Sequence, residues 1–175
     1  QNVDIIKNDN IKFRLMDFCN DWSKTNIVVD TIDSNKKYDI ILILNSIHYS
    51  MKEGKLNDNF IKQIKEYSNK KVRIFISYCD KDNLELLFFK YKNITNNASY
   101  VKKMPENKIK YYYSWAHNKP IIEEMVSLKD LQNAFQEKQY YFSEYNMKNM
   151  KNIKSGNSVW NKYMSCFKLV EFRNF

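Results

Sequence analysis

Residues 38–47, YDIILILNSI, form a nearly unbroken apolar run of strand length. Such a run is the pattern of a strand covered on both faces inside a parallel sheet, since a strand with one wet face alternates polar and apolar residues. A second strand is predicted at 72–78, VRIFISY. Between them, Phe60, Ile61, Ile64 and Tyr67 fall at helical spacing over 58–68 behind an Asn57/Asp58 cap. Leu84, Leu87, Phe88 and Tyr91 do the same over 81–92. Upstream, 11–16, IKFRLM, reads as a strand whose carboxyl end presents Asp17. Strand and helix alternating at these intervals predict right-handed crossovers of a doubly wound α/β sheet.

The second half changes character. SYVKKMPENKIKYYYSW carries a Pro-Glu-Asn-Lys turn between two alternating runs and reads as an antiparallel hairpin, 99–104 with 108–115. A short apolar stretch at 121–126 leads to a helix over 128–138 capped by Ser127, then a strand at 139–145 and a polar loop at 146–158. Cys166 to Phe172 alternates and is predicted to be a final, antiparallel strand closing the sheet edge. With 175 residues, 43% of them hydrophobic, the chain has material for one packed domain and too little for two, and 1–175 is read as a single domain.

Composition removes several function classes. Gly54 and Gly156 are the only glycines, so no glycine-rich phosphate or dinucleotide loop is encoded. Cys19, Cys79 and Cys166 are far apart and odd in number, without zinc-site spacing, which argues against a disulfide framework and a metal cluster and for a reducing, cytoplasmic setting. No apolar run reaches the ~18 to 20 residues that cross a bilayer. The start, QNVDIIKNDN, has neither a signal-peptide core nor an initiator Met, and reads as the interior of a longer polypeptide. A formal net charge of +9 suits a polyanionic partner, or else reflects a lysine-rich surface that binds nothing in particular.

In doubly wound sheets ligands bind at the carboxyl ends of the parallel strands. Asp17 and Phe18, Asn45 to Ser50, and Tyr78 to Asp80 are expected there, with His48 and Tyr49 just past a buried strand. Tyr111, Tyr113 and Trp115 would share one strand face, where rings stack on a nucleobase or pack on a helix. A following carboxylate, Glu123 or Glu124, can accept hydrogen bonds from a purine N–H edge. His48 and His117 are the only histidines and no serine sits in a glycine-flanked elbow, so nucleophilic catalysis has little support.

The order and spacing of YDIILILNSIHYSM, KKVRIFISYCDKDNLELLF and YYYSWAHNKPIIEEMV resemble the C-terminal two-thirds of messenger RNA cap guanine-N7 methyltransferases. The likeness is strongest to the methyltransferase part of capping enzymes from cytoplasmic DNA viruses and linear plasmids, and it spans nearly the whole chain. It implies a Rossmann-like class I methyltransferase sheet, incomplete at its N-terminal βαβ unit and carrying an inserted antiparallel hairpin. It also implies S-adenosylmethionine as cofactor, capped RNA as substrate, other capping-enzyme domains or a stimulatory subunit as partners, and a cytoplasmic, virion or viral-factory location with no membrane. Carried over by residue, His48 and Tyr49 match the His-Tyr pair near the cap guanine, Glu123 the glutamate that reads the guanine edge, and Tyr111 and Tyr113 the aromatic positions of the cap pocket. Phe167 lies near a late cap-pocket tyrosine. Asp17, with Phe18 beside it, is similar to the acid facing the adenine, and Asn45 falls near the methionine end of the cofactor.

The chain departs from the family in two places. Leu44 and Asn45 replace a glutamine and a phenylalanine, and the D/E-x-G-x-G loop with its acidic strand is missing. Either that first unit precedes Gln1, or the chain is a degenerate, noncatalytic subunit that binds RNA or stimulates a partner.

Overall fold

The computed structural model describes residues 37–52, 55–136, 141–145 and 158–173. The expected strand at 11–16 lies outside these residues, as do Asp17 and Phe18. In chain order the strands are β1 (Tyr38–Leu44), β2 (Met51–Lys52), β3 (Lys55–Leu56), β4 (Ser68–Cys79), β5 (Ile94–Asn96), β6 (Ser99–Met104), β7 (Lys108–Tyr112), β8 (Ile121–Glu124), β9 (Tyr141–Tyr145) and β10 (Phe167–Arg173). The helices are α1 (Asp58–Glu66), α2 (Lys81–Lys90), α3 (Leu128–Gln136) and α4 (Ser158–Met164), with a 3-10 turn at Ile47–Ser50.

The central sheet has the order β1-β4-β10-β9. β1 and β4 are parallel and joined by the α1 crossover, whereas β10 runs antiparallel to both β4 and β9. The predicted final strand is therefore an interior strand and not the sheet edge, because β9 adds outside it. Residues 94–96, read as part of no strand, form β5, and 121–124 forms β8. Together with the predicted hairpin they make a second, antiparallel sheet of order β5-β6-β7-β8. Lys81 N–H donates to the Val126 carbonyl at 2.8 Å, and Asp80 bridges Val126, so the segment after β8 is pinned to the carboxyl end of β4.

Local signals account for the element ends. The Asn57 side chain accepts from the amides of Asn59 and Phe60 and starts α1; Asp80 accepts from Asn83 and starts α2. Ser127 and Asp130 form a reciprocal capping box, with Asp130 N–H on Ser127 Oγ at 3.1 Å and Ser127 N–H on Asp130 Oδ2 at 3.0 Å. Glu106 and Asn107 both have positive φ, 56° and 61°, as a tight primed hairpin turn between β6 and β7 requires.

α1 and α3 cover one face of the central sheet. Phe60, Ile61 and Ile64 with Leu131 and Phe135 pack on Ile43, Ile74, Ile76, Val170 and Phe172, and the Phe135 and Phe172 rings stack at 4.4 Å. The opposite face contradicts the expectation of a strand covered on both sides. Ile40, Leu42 and Leu44 of β1 are 55%, 62% and 60% exposed. The register lines them up with Arg73, Phe75 and Ser77 of β4. Among the described residues β1 also pairs on one edge only. No described helix is long and apolar enough to cross a membrane.

Candidate functional site

At the carboxyl ends of β1 and β4 the chain turns sharply. Asn45 adopts a left-handed φ of 51°, and its amide donates to the carbonyl and to Oγ of Ser77 at 2.9 and 3.0 Å. Ser77 Oγ donates back to Asn45 Oδ1 at 2.9 Å. This clasp ends β1 and throws the next residues into the 3-10 turn, which Ser50 closes by donating to the Ile47 carbonyl at 2.6 Å. Ile47 and Ser50 are buried, so His48 and Tyr49 are turned the other way.

They meet Glu123. His48 Nε2 lies 2.9 Å from Glu123 Oε1, within ion-pair distance but without hydrogen-bond alignment, so the buried Nε2 has no hydrogen-bond partner. Tyr111 donates its hydroxyl to Glu123 Oε1. The Tyr49 hydroxyl, on a more than half-exposed residue, hydrogen-bonds with Glu123 and Tyr111, and its ring lies 4.1 Å from that of His48. One carboxylate is thus the meeting point of an imidazole and two phenols.

Glu123 lines a cleft of about 450 Å³. Asn45, His48, Ser77 and Cys79 come from the central sheet and its strand ends, Ile109 and Tyr111 from β7, and Tyr113 and Trp115 from the segment after it. Trp160, Tyr163 and Met164 of α4 and Phe167 of β10 complete it. The Tyr113 ring stacks on Trp115 at 5.7 Å and 11° and on His117 at 5.6 Å and 28°, and stands edge-on to Trp160. The Tyr113 and Tyr163 hydroxyls share a hydrogen bond.

Burial dominates the titration of these groups. It pushes the Tyr113 hydroxyl up to about 12 and Tyr163 well above the ordinary phenol range. Burial and the Glu123 carboxylate together push Tyr111 up. The Cys79 thiol is pushed up chiefly by burial and then by Cys166 and Asp80, so it is a poor thiolate nucleophile. Among the described residues the cleft presents protonated phenols, one acid and no activated thiol.

Of the residues expected to act, His48, Tyr111, Tyr113, Glu123, Phe167 and Asn45 line this one cleft. Tyr49 does not line it but contacts Glu123 from outside. Of the two candidate acids Glu123 lines the cleft, whereas Glu124 sits directly across from Lys108, on the opposite face of the second sheet. Sequence reading missed Trp160 and Tyr163, because α4 falls almost wholly between the loop expected at 146–158 and the strand expected from Cys166 and was assigned no element; their i, i+3 spacing was the available signal. His117 also joins the ring cluster beside the cleft.

The sequence matches no protein-family model and no curated protein. Among solved structures, the chain is similar to an S-adenosylmethionine-dependent methyltransferase from Clostridium acetobutylicum, with a TM-score of 0.51 and 10% identity over 91% of this chain and 63% of that one. It is also similar to the PH0226 protein from Pyrococcus horikoshii OT3, with a TM-score of 0.49, 13% identity and 95% and 60% covered. A third is the plantazolicin methyltransferase BamL in complex with a triazolic desmethylPZN analog and SAH, with a TM-score of 0.36, 11% identity and 80% and 55% covered. The fold is therefore the Rossmann-like α/β fold of class I methyltransferases. The chain spans less than two thirds of the length of each of these structures.

Proposed function

We propose that the chain is the downstream part of an S-adenosylmethionine-dependent methyltransferase acting on guanine N7 of an RNA cap. The observation that carries this reading is the Glu123 carboxylate, held by Tyr111 in an aromatic-walled cleft at the carboxyl ends of two parallel strands. A guanine presents two adjacent N–H groups on one edge and a flat π face. An acid fixed beside stacked rings suits both.

The cleft fits the reacting end of the methyl donor. Aromatic faces and a carboxylate favour a sulfonium cation, and the cleft walls supply both. For the donor's ribose and amino-acid ends the described residues offer no counterpart; Asp17 and Phe18 lie outside them, and a βαβ unit preceding Gln1 would supply the rest.

When bound, the donor supplies an electrophilic methyl group. Guanine N7 carries a free lone pair, so no base is required, which agrees with a cleft of neutral phenols. Tyr111 holds the Glu123 carboxylate with His48 beside it, Glu123 fixes the purine edge, and Tyr113, Trp160 and Phe167 exclude water. Orientation of this kind contributes up to about 7–11 kcal/mol to a two-reactant step.

The missing glycine loop favours a second reading, a noncatalytic subunit that keeps the fold. Donor titration separates the two. S-adenosylmethionine is titrated against this chain and against a polypeptide extended upstream, with methyl transfer to GpppRNA and ApppRNA measured in both. We expect weak donor binding to the 175 residues, and tight binding with guanine-selective transfer in the longer chain. No donor binding in either ends the enzyme reading.

A further inference from the structure

We propose that the outer face of the second sheet is a binding surface for single-stranded RNA, separate from the cleft. Strand alternation and register divide this sheet cleanly. Val101, Ile109 and Tyr111 are buried on the inner face with Leu84, Leu87 and Phe88 of α2, and Lys103 reaches Glu85 of α2 at 3.3 Å. The outer face carries the alternate residues: Tyr100 directly opposite Tyr112, then Lys102 directly opposite Lys110, with Glu124 at its far end across from Lys108.

Two features of that face make poor sense as inert surface. Like charges directly opposite one another on neighbouring strands destabilise a sheet. Yet Lys102 and Lys110 have no carboxylate partner among the described residues, whereas Lys108 pairs with Glu106 at 2.9 Å and Lys103 with Glu85. A bound anion between the two ammonium groups removes the repulsion. Beside them, Tyr100 and Tyr112 form a cross-strand ring pair with centroids 5.9 Å apart, and Lys102 lies over the Tyr100 ring at 5.2 Å. Adjacent rings beside ammonium groups without a carboxylate partner offer stacking to bases and charge to phosphates, and single-stranded RNA supplies both. An acidic protein segment would satisfy the lysines and leave the ring pair unused. The face lies across the sheet from the cleft, so the surface does not depend on the methyl-transfer reading.

The test uses an uncapped oligouridylate, which has no guanine to enter the cleft. Its affinity for the full chain is measured as salt is raised, for wild type, Lys102→Gln/Lys110→Gln and Tyr100→Leu/Tyr112→Leu. We expect the lysine pair variant to bind at least tenfold more weakly, with a salt slope reduced by about 1.4, the value for two single-strand phosphate contacts. The tyrosine pair variant should weaken RNA binding about tenfold and leave polyglutamate binding unchanged. Unaltered RNA affinity in both variants overturns the proposal, as does polyglutamate binding that equals RNA binding in wild type and falls with it in the lysine variant. Should either variant fail to fold, photocrosslinking of 4-thiouridine RNA to wild type decides: cross-links at Tyr100 or Tyr112 support the surface, and cross-links confined elsewhere overturn it. S-adenosylmethionine binding, measured in parallel, is unaffected if only this surface is lost.

Discussion

Tyr111 on β7 donates its hydrogen bond diagonally to Glu123 on β8, not to the residue directly across from it, which is Ile121. The diagonal reach of a tyrosine across neighbouring strands holds the acid in the cleft while its backbone partner, Ile109, stays in the second core cluster. Replacing Glu123 by Gln keeps a hydrogen-bond acceptor but removes the charge. Binding of a guanine cap analogue is expected to weaken about 10- to 100-fold, the value of a charge-assisted hydrogen bond of about 1.5–3 kcal/mol. Isothermal titration of the analogue checks this, with an adenine analogue as control. The Tyr111 phenol titration should move back down, because Glu123 contributes to its rise.

Trp160 and Tyr163 tie α4 to the cleft. Trp160 is 9% exposed and Tyr163 2% exposed, and both belong to the second core cluster. Trp160→Ala is expected to cost about 3–5 kcal/mol, the range for truncating a buried aromatic. Tyr163→Phe removes only the hydroxyl shared with Tyr113 and should cost about 1 kcal/mol. Denaturant unfolding with a constant m-value distinguishes the two losses from a change in the denatured state.

How much of this was legible depends on how local the signal is. The Asn57 and Asp80 caps, the Ser127–Asp130 box and the Pro105–Lys108 turn are contained in four or five residues, and α1, α2, α3 and the hairpin stand where the spacing put them. β1 and β4 were legible as apolar runs, but a run of apolar residues reports composition and not its cover, so the bare face of Ile40, Leu42 and Leu44 was invisible. β5 has three residues and α4 has seven, too few for either periodicity to assert itself. At the cleft, His48 and Glu123 could be named separately from strand-end logic and from the resemblance. Their approach to 2.9 Å depends on the Asp80–Val126 bridge between sheets, a contact with no sequence signature.

The exposed β1 face gives a prediction about what covers it. Leu42 is 62% exposed, so Leu42→Lys in the 175-residue chain should change stability by no more than about 0.5 kcal/mol, as exposed substitutions generally do. In an upstream-extended polypeptide whose added helices cover this face, the same substitution would bury a charge and lower Tm sharply. Paired thermal melts of the two polypeptides, with and without the substitution, test the cover.

The buried phenols predict loss of stability at high pH. Tyr113 is raised to about 12, and Tyr163 is raised as well, so the folded chain holds protons that the unfolded chain releases near pH 10. Their stabilisation is complete below pH 10 and declines as pH rises from there through about 12. Tm measured from pH 9 upward should fall, and Tyr113→Phe should make the fall shallower, since phenylalanine releases no proton. An equal slope in wild type and variant contradicts the assignment.

Glu171 is fully buried on the face of the central sheet opposite α1 and α3, closed over by the side chains of two of the chain's three arginines. Arg73 Nε and Arg173 Nε each lie 2.6 Å from Glu171 Oε1, and Arg173 Nη2 donates to Oε2 at 2.9 Å. The register places Arg73 directly opposite Arg173, with Glu171 one pleat along and facing Phe75, so the carboxylate screens two guanidinium groups that would otherwise repel. Removing the acid leaves both cations adjacent and without that partner, while replacing one arginine by Gln leaves the other pair intact. Glu171→Ala should therefore cost about 3 kcal/mol, toward the lower end of the range for breaking a buried pair because the arginines are half exposed. Arg73→Gln should cost no more than about 1 kcal/mol. Combining Glu171→Leu with Arg73→Leu should recover most of the loss, since no unpaired cation pair remains, and a double-mutant cycle in urea reads the coupling directly.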